Sequence, residues 1–199
     1  PVYVMDLPKT AEPLMMEPEM VPEARATARV VYLAGCKSCN HIPLGVMVSG
    51  AGYRNVGLTV KMATALDHAS NGRGILGLGA GWHEPEHRAF GYEVLPIGDR
   101  ISRLDEASRV ARGLLDGESV TFEGSWATAH DLRNLPPPAQ PHLPLLLGGS
   151  GERRTLRIVA RDADIWNGEG DPATYARKHG ILDDHCAERE GLALARHGI

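Results

Sequence analysis

The run His83-Glu84-Pro85-Glu86-His87 sets two imidazoles and two carboxylates within five residues and matches the zinc pattern H-E-x-x-H letter for letter. That pattern binds zinc because both histidines project from one face of a continuous helix, one turn apart. Pro85 disfavours the α region at Glu84 and suits the first turn of a helix, so His83 is predicted to fall outside that helix. No metal is expected here. Glu86 and His87 read as solvated residues of a strand-to-helix turn, and Glu84 is the one nearby carboxylate nominated as a catalytic acid or base.

Directly upstream lies Gly74-Ile-Leu-Gly-Leu-Gly-Ala-Gly-Trp82, a short apolar run interrupted by Gly77, Gly79 and Gly81. Glycine inside a strand marks close approach of something to the backbone. With an aromatic and four polar residues following, the strand is predicted to end at a ligand pocket. A dinucleotide fingerprint G-x-G-x-x-G fits poorly, because its third glycine position holds Trp82. A second glycine cluster, Gly148-Gly149-Ser150-Gly151, follows the apolar run Leu143 to Leu147 and precedes a helical pattern. The first N–H groups of a helix lack internal partners and carry partial positive charge, so such a turn suits a phosphate. Ser150 could cap that helix, predicted to begin near Glu152, and Arg153 or Arg154 could add charge.

The elements that must position these residues alternate. Val2 to Met5 is a β-rich run ending at Asp6, and residues 8–22 read as a proline-rich loop. Glu23 to Leu33 has a helical pattern stopped by Gly35. Ile42 to Val48 reads as a strand apolar on both faces, ended by Ser49-Gly50-Ala51-Gly52. Leu58, Met62, Ala65, Leu66 and Ala69 keep helical spacing up to Asn71-Gly72. Residues 99–116 form the clearest amphipathic helix, with Ile101, Leu104, Ala107, Ala111, Leu114 and Leu115 on one stripe. Val120–Phe122 and Trp126–Thr128 suggest a hairpin. Pro136 to Pro141 is a stiff connector, Leu143–Leu147 a strand, and Leu156, Val159, Ala160 and Ala163 one face of a helix. Asp164–Asn167 is a brief strand, and Asp171-Pro172 opens a final helix. Buried strands alternating with amphipathic helices predict parallel βα units in one domain, residues 1–199.

The bulk properties are those of a globular chain: 199 residues, 43% hydrophobic, formal net charge −4. That charge invites neither nucleic acid nor an anionic membrane. No apolar run reaches the ~20 residues that span a bilayer. Three cysteines, Cys36, Cys39 and Cys186, are an odd number that fits a reducing cytoplasm, and Cys36-Lys-Ser-Cys39 lacks the second pair of a zinc knuckle.

From Ile42 to His185 the chain resembles the bacterial luciferase-like monooxygenase superfamily, and most closely its branch that uses the deazaflavin coenzyme F420. The matching stretches include Leu44–Val48, Tyr53-Arg54-Asn55, Ala65-Leu-Asp-His68, Ser70–Arg73, Gly77–Trp82 and Arg100 with Leu104 and Glu106. Pro138–Pro141, Gly148–Glu152 and Ala163–Asn167 continue the series in order. The resemblance implies an α/β fold, a TIM (β/α)8 barrel of the luciferase-like type, with the cofactor at the C-terminal ends of its strands. Fitted to it, the chain carries strands two to six, and strands one, seven and eight have no counterpart; beyond Glu188 the tail departs from the family. Val56 stands where relatives usually have proline, and Asp6 is followed by Leu7 where an Asp-His pair is common.

By the same resemblance, Met47 and Val48 would contact the ring across a cis peptide bond. Gly79 and Gly81 would let the ring lie on the strand backbone, with Trp82 at the rim. Gly148, Gly149, Ser150 and Gly151 would hold the phosphate, and Asp6 and Trp166 would line the remaining pocket, plain core packing being the alternative for Trp166. The implied activity is hydride transfer between F420 and an organic substrate in a cytoplasmic oxidoreductase, and the unpaired edges of a partial barrel, at Val2–Met5 and Asp164–Asn167, predict self-association into a homo-oligomer. FMN is the alternative cofactor, in a monooxygenase, and a non-catalytic flavin binder or inactive fragment is the rival of another class.

Overall fold

The computed structural model describes residues 43–196, with side chains through Glu190. The strand expected at Val2–Asp6, with Asp6 itself, the helix expected at Glu23–Leu33, and Cys36 and Cys39 lie outside the described residues. The elements are β1 (Leu44–Gly45), β2 (Ser49–Gly50), α1 (Val56–Ala69), β3 (Gly74–Gly79), α2 (Glu84–Ala89), α3 (Ile97–Leu115), β4 (Val120–Glu123), β5 (Thr128–Leu132), β6 (Leu145–Gly148), α4 (Thr155–Asp162), β7 (Ile165–Asn167) and α5 (Pro172–Arg196).

Strands β1 and β2 both pair with β3, which pairs with β6, which pairs with β7, all parallel. The single strand expected at Ile42–Val48 is therefore two short pieces on one neighbour, separated by the residues around Met47. Hairpin β4–β5 stands apart from this sheet. Its second strand runs later than expected, because Glu106 of α3 accepts the backbone N–H groups of Ser125, Trp126 and Ala127 at 3.1, 2.6 and 2.8 Å. Those three N–H groups are thus held by a helix side chain, and the turn closes through the Gly124 N–H on the Ala127 carbonyl at 2.9 Å. Among the described residues the sheet stays open, as befits part of a barrel.

Side chains alternate across a strand, so each strand sorts its residues between two faces. Leu76, Leu78, Leu145, Leu147 and Trp166 share one core cluster with Leu104, Val110, Leu114, Leu156 and Val159 of the helices. Each such fully buried aliphatic side chain contributes about 1.5–3 kcal/mol. The other face, the barrel interior, carries Ile75, Gly77, Gly79, Leu146, Gly148, Ile165 and Asn167.

Helix α3 buries the stripe its spacing predicts. Helix α1 presents a different face. Val56, Val60, Ala63, Thr64 and Asp67 are its buried side, whereas Leu58, Met62 and Leu66 are exposed. Helical spacing identifies the helix, but a helix apolar on two sides does not reveal which side meets the sheet. Asp67 is fully buried and bonds the backbone N–H of Gly74, Ala139 and Gln140 and the Gln140 amide at 2.7–3.0 Å. It thereby ties the end of α1 and the start of β3 to the proline connector.

Candidate functional site

Register sets the site. Gly50 aligns with Gly79, Gly79 with Gly148, and Gly148 with Asn167, so one row crosses the C-terminal end of the sheet with three glycines and one polar residue. Three adjacent positions without side chains leave the interior face low along this row, a trough that the Val48 side chain partly fills. Val48, joined to Met47 by a cis peptide bond between β1 and β2, reaches over this row. A Cβ on Gly79 would lie 2.6 Å from Val48 Cγ2, and one on Gly148 would lie 2.8 Å from the same methyl. A Cβ on Gly77 would meet the Val46 carbonyl oxygen and, at 3.3 Å, Val48 Cγ1.

Gly79, expected to let a ring lie on the strand backbone, has the Val48 side chain beside it. The space beside that glycine belongs to Val48, so a ring in the trough would meet the Val48 side chain. Gly81 is likewise not open: at φ +74°, its Cβ would stand 3.0 Å from His87 Cε1 and 3.1 Å from Nε2. Its carbonyl oxygen accepts from Arg100 Nη1 at 2.6 Å. Trp82 stands beyond the strand end, 69% exposed.

Around this rim the polar residues are engaged with one another. His83 precedes α2, whose first turn contains Pro85. The ring of His87 is turned back, with Nδ1 donating to the His83 carbonyl at 3.0 Å. Among the described residues no group of three or more His, Cys, Asp and Glu is placed to hold a metal. Tyr53 donates to Glu86 at 2.7 Å and stacks on Tyr92. Its phenol is pushed above the usual tyrosine range, first by burial and then by the Glu86 hydrogen bond and charge. It stays protonated. Glu84, the carboxylate nominated as a catalytic acid or base, pairs with Arg88 one turn along α2, at 2.9 Å and well exposed.

The turn after β6 has its own geometry. Helix α4 begins at Thr155, not near Glu152, and no side chain caps it. Ser150 is no cap; its hydroxyl accepts from the Glu169 N–H at 3.1 Å and so ties the two loops together. Gly149 sits at φ +134°, and a Cβ there would be 2.9 Å from Thr155 Cγ2; one on Gly151 would be 2.8 Å from Thr155 Oγ1. Thr155 is buried, so the glycines let the loop fold over it. The Gly149 N–H donates to the Asn167 carbonyl at 3.0 Å, whereas those of Ser150, Gly151 and Glu152 have no backbone partner among the described residues. Three successive unengaged N–H groups suit an anion. Trp166 is 2% exposed, stacked on Tyr175, with its indole N–H on the Gly149 carbonyl at 2.8 Å. It is a core residue that holds the loop from behind.

Asn167, the end of the expected strand Asp164–Asn167, is not among the expected site residues. The alternation of Ile165-Trp166-Asn167 puts it on the face opposite the buried tryptophan.

A parallel βα sheet with glycines aligned across its C-terminal ends is laid out like part of a (β/α)8 barrel, a fold whose sites sit at that end. The chain belongs to the luciferase-like monooxygenase family, whose model matches residues 3–192. An uncharacterised protein of Mycobacterium tuberculosis is 37% identical over 113 residues, 53% of this chain and 36% of the relative. The chain thus spans little more than a third of the length of that curated relative. Among solved structures, the coenzyme F420-dependent tetrahydromethanopterin reductase of Methanopyrus kandleri superposes with a TM-score of 0.62 at 18% identity, over 74% of this chain and 46% of that one. The oxygenating constituent of 3,6-diketocamphane monooxygenase from Pseudomonas putida, a type II Baeyer-Villiger enzyme in complex with FMN, gives 0.56 at 16% identity, over 74% and 44%. At these identities the two structures establish the shared fold. Among the described residues no helix is long and apolar enough to cross a membrane.

Proposed function

We propose that this chain carries the cofactor site of an F420-dependent oxidoreductase acting on a small organic substrate. The observation that carries the reading is the glycine turn after β6, where three N–H groups without a partner among the described residues lie beside a trough floored by Gly79, Gly148 and Val48. A tricyclic ring with a phosphate tail needs both features side by side: a flat apolar bed and an anion seat. Val48 would meet the ring face, Ser150, Gly151 and Glu152 would take the phosphate, and Trp166 would keep Gly149 in place. When bound, the deazaflavin supplies the hydride, and the protein positions and shields it. The motif order that resembles the F420 branch supports this cofactor over FMN.

Titration of the chain with F420 and with FMN, followed by fluorescence, tests the reading. Ser150→Asp keeps an acceptor for the Glu169 N–H and sets a negative charge in the loop. It should weaken F420 and FMN binding more than tenfold while leaving riboflavin, which lacks the phosphate, unaffected. Gly149→Asp is the poorer probe, because φ +134° and the nearby Thr155 strain any side chain there. Absence of binding by the unaltered chain, or equal loss for riboflavin and FMN, refutes the assignment; FMN binding tighter than F420 replaces the cofactor.

A further inference from the structure

We infer that the Asn167 carboxamide is the polar contact that reads the hydrogen-bonding edge of a ring seated in the trough. This inference rests on the cofactor reading above and deepens it. In the parallel sheet, the interior-facing positions are Gly45, Gly50, Ile75, Gly77, Gly79, Leu146, Gly148, Ile165 and Asn167, by strand alternation and the observed register. Asn167 is the sole polar side chain among them in the described strands. It stands in the same row as Gly79 and Gly148, at the rung where the floor loses its side chains.

Its backbone is already committed, since the carbonyl accepts the Gly149 N–H at 3.0 Å. That bond fixes Asn167 relative to the glycine turn. The carboxamide is different: no described residue hydrogen-bonds it, and the residue is half-buried. A carboxamide offers one acceptor oxygen and two N–H donors side by side. The matching partner is a ligand edge that sets a ring N–H next to a ring carbonyl. The pyrimidinedione edge of flavins and deazaflavins has this arrangement, with the amide oxygen taking the ring N–H and the amide nitrogen donating to the adjacent carbonyl. Val48 and the glycines give the ring a face to lie on but no polar direction. Asn167 would set the ring's orientation within its plane.

Riboflavin and 3-methylriboflavin test this, because methylation replaces the ring N–H and leaves the phosphate loop out of play. The unaltered chain should prefer riboflavin by roughly three- to tenfold, the range of one neutral hydrogen bond. Asn167→Leu, close in size, should bind riboflavin more weakly by a similar factor and lose the preference. Asn167→Asp, with a carboxylate facing the ring carbonyl, should weaken riboflavin further. Should the leucine variant fail to fold, Asn167→Ser removes the same amide and must show the same loss of preference. A variant that folds and keeps the preference refutes the contact while leaving the cofactor site intact. An unaltered chain that binds neither F420, FMN nor riboflavin refutes the site beneath it.

Discussion

The indole N–H of Trp166 donates to the carbonyl oxygen of Gly149 across 2.8 Å. A buried core side chain thereby reaches through the sheet end to the turn proposed to seat the phosphate. Trp166→Phe keeps an aromatic ring against Tyr175 and removes this donor. The Gly149 carbonyl then loses a partner and the core loses volume, a combined cost of about 1–3 kcal/mol. Urea unfolding should show that loss, and FMN affinity should fall by a larger factor than riboflavin affinity. An unchanged unfolding midpoint would mean the bond is incidental.

Val48 and Gly148 form a matched pair. A methyl at Gly148 would sit 2.8 and 3.1 Å from the two Val48 methyls, an overpacking expected to cost about 1–3 kcal/mol. Val48→Ala removes those methyls. The double variant Gly148→Ala, Val48→Ala should therefore be more stable than the sum of the single effects by about 1 kcal/mol or more. Additivity within about 0.5 kcal/mol, the behaviour of independent sites, would refute the packing.

Self-association is the outcome expected from two open surfaces. Strand β7 pairs only with β6 among the described residues, and an unpaired strand edge invites another chain. Helix α1 adds the exposed Leu58, Met62 and Leu66, with Leu58 at 54% and Met62 at 49%. Sedimentation velocity at tens of micromolar protein should show species above the monomer, and Met62→Glu should shift them toward monomer. A monodisperse monomer of the unaltered chain rules this out.

Strand and helix order was legible because periodicity survives folding. The α3 stripe and the strand-helix alternation after Gly74 could be read directly from the spacing of apolar residues. What spacing conceals is which side of an element meets which neighbour. Leu58 and Val60 are both apolar residues of α1, and only the sheet beneath decides that Val60 is buried. Glycine shows the same limit: Gly79 signals close approach, but the sequence does not say that Val48 is what approaches. Spacing likewise does not show that Glu84 stands one helical turn from Arg88 and pairs with it. The role proposed for Asn167 was hidden for the opposite reason, since it comes from a register spanning Gly79, Gly148 and itself, distant in sequence and adjacent only across the sheet.

Acid should release one clamp between α3 and α4. Arg161 Nη2 lies 2.5 Å from Asp105 Oδ1 and 2.6 Å from Asp162 Oδ2, and Ser108 donates to Asp162 from the α3 side. Burial pushes the Asp105 carboxyl up, but the Arg161 hydrogen bond and charge, helped by Arg109, outweigh it and hold the group below its ordinary value. A carboxyl with a depressed folded-state pKa stabilises the fold above the unfolded value, near 3.9, and that contribution is lost as pH falls through the folded value. The affected window therefore lies below about pH 4. Asp105→Asn keeps an acceptor for Arg161 but cannot titrate. In urea unfolding at pH 6, 4 and 3, the unaltered chain should exceed the variant in stability at pH 6, and the difference should shrink once pH drops below about 4. The partly exposed pair is screened by solvent, so high salt should narrow the gap at pH 6 as well. A difference that stays constant from pH 6 to pH 3 would show that the Asp105 charge contributes nothing to holding the two helices together.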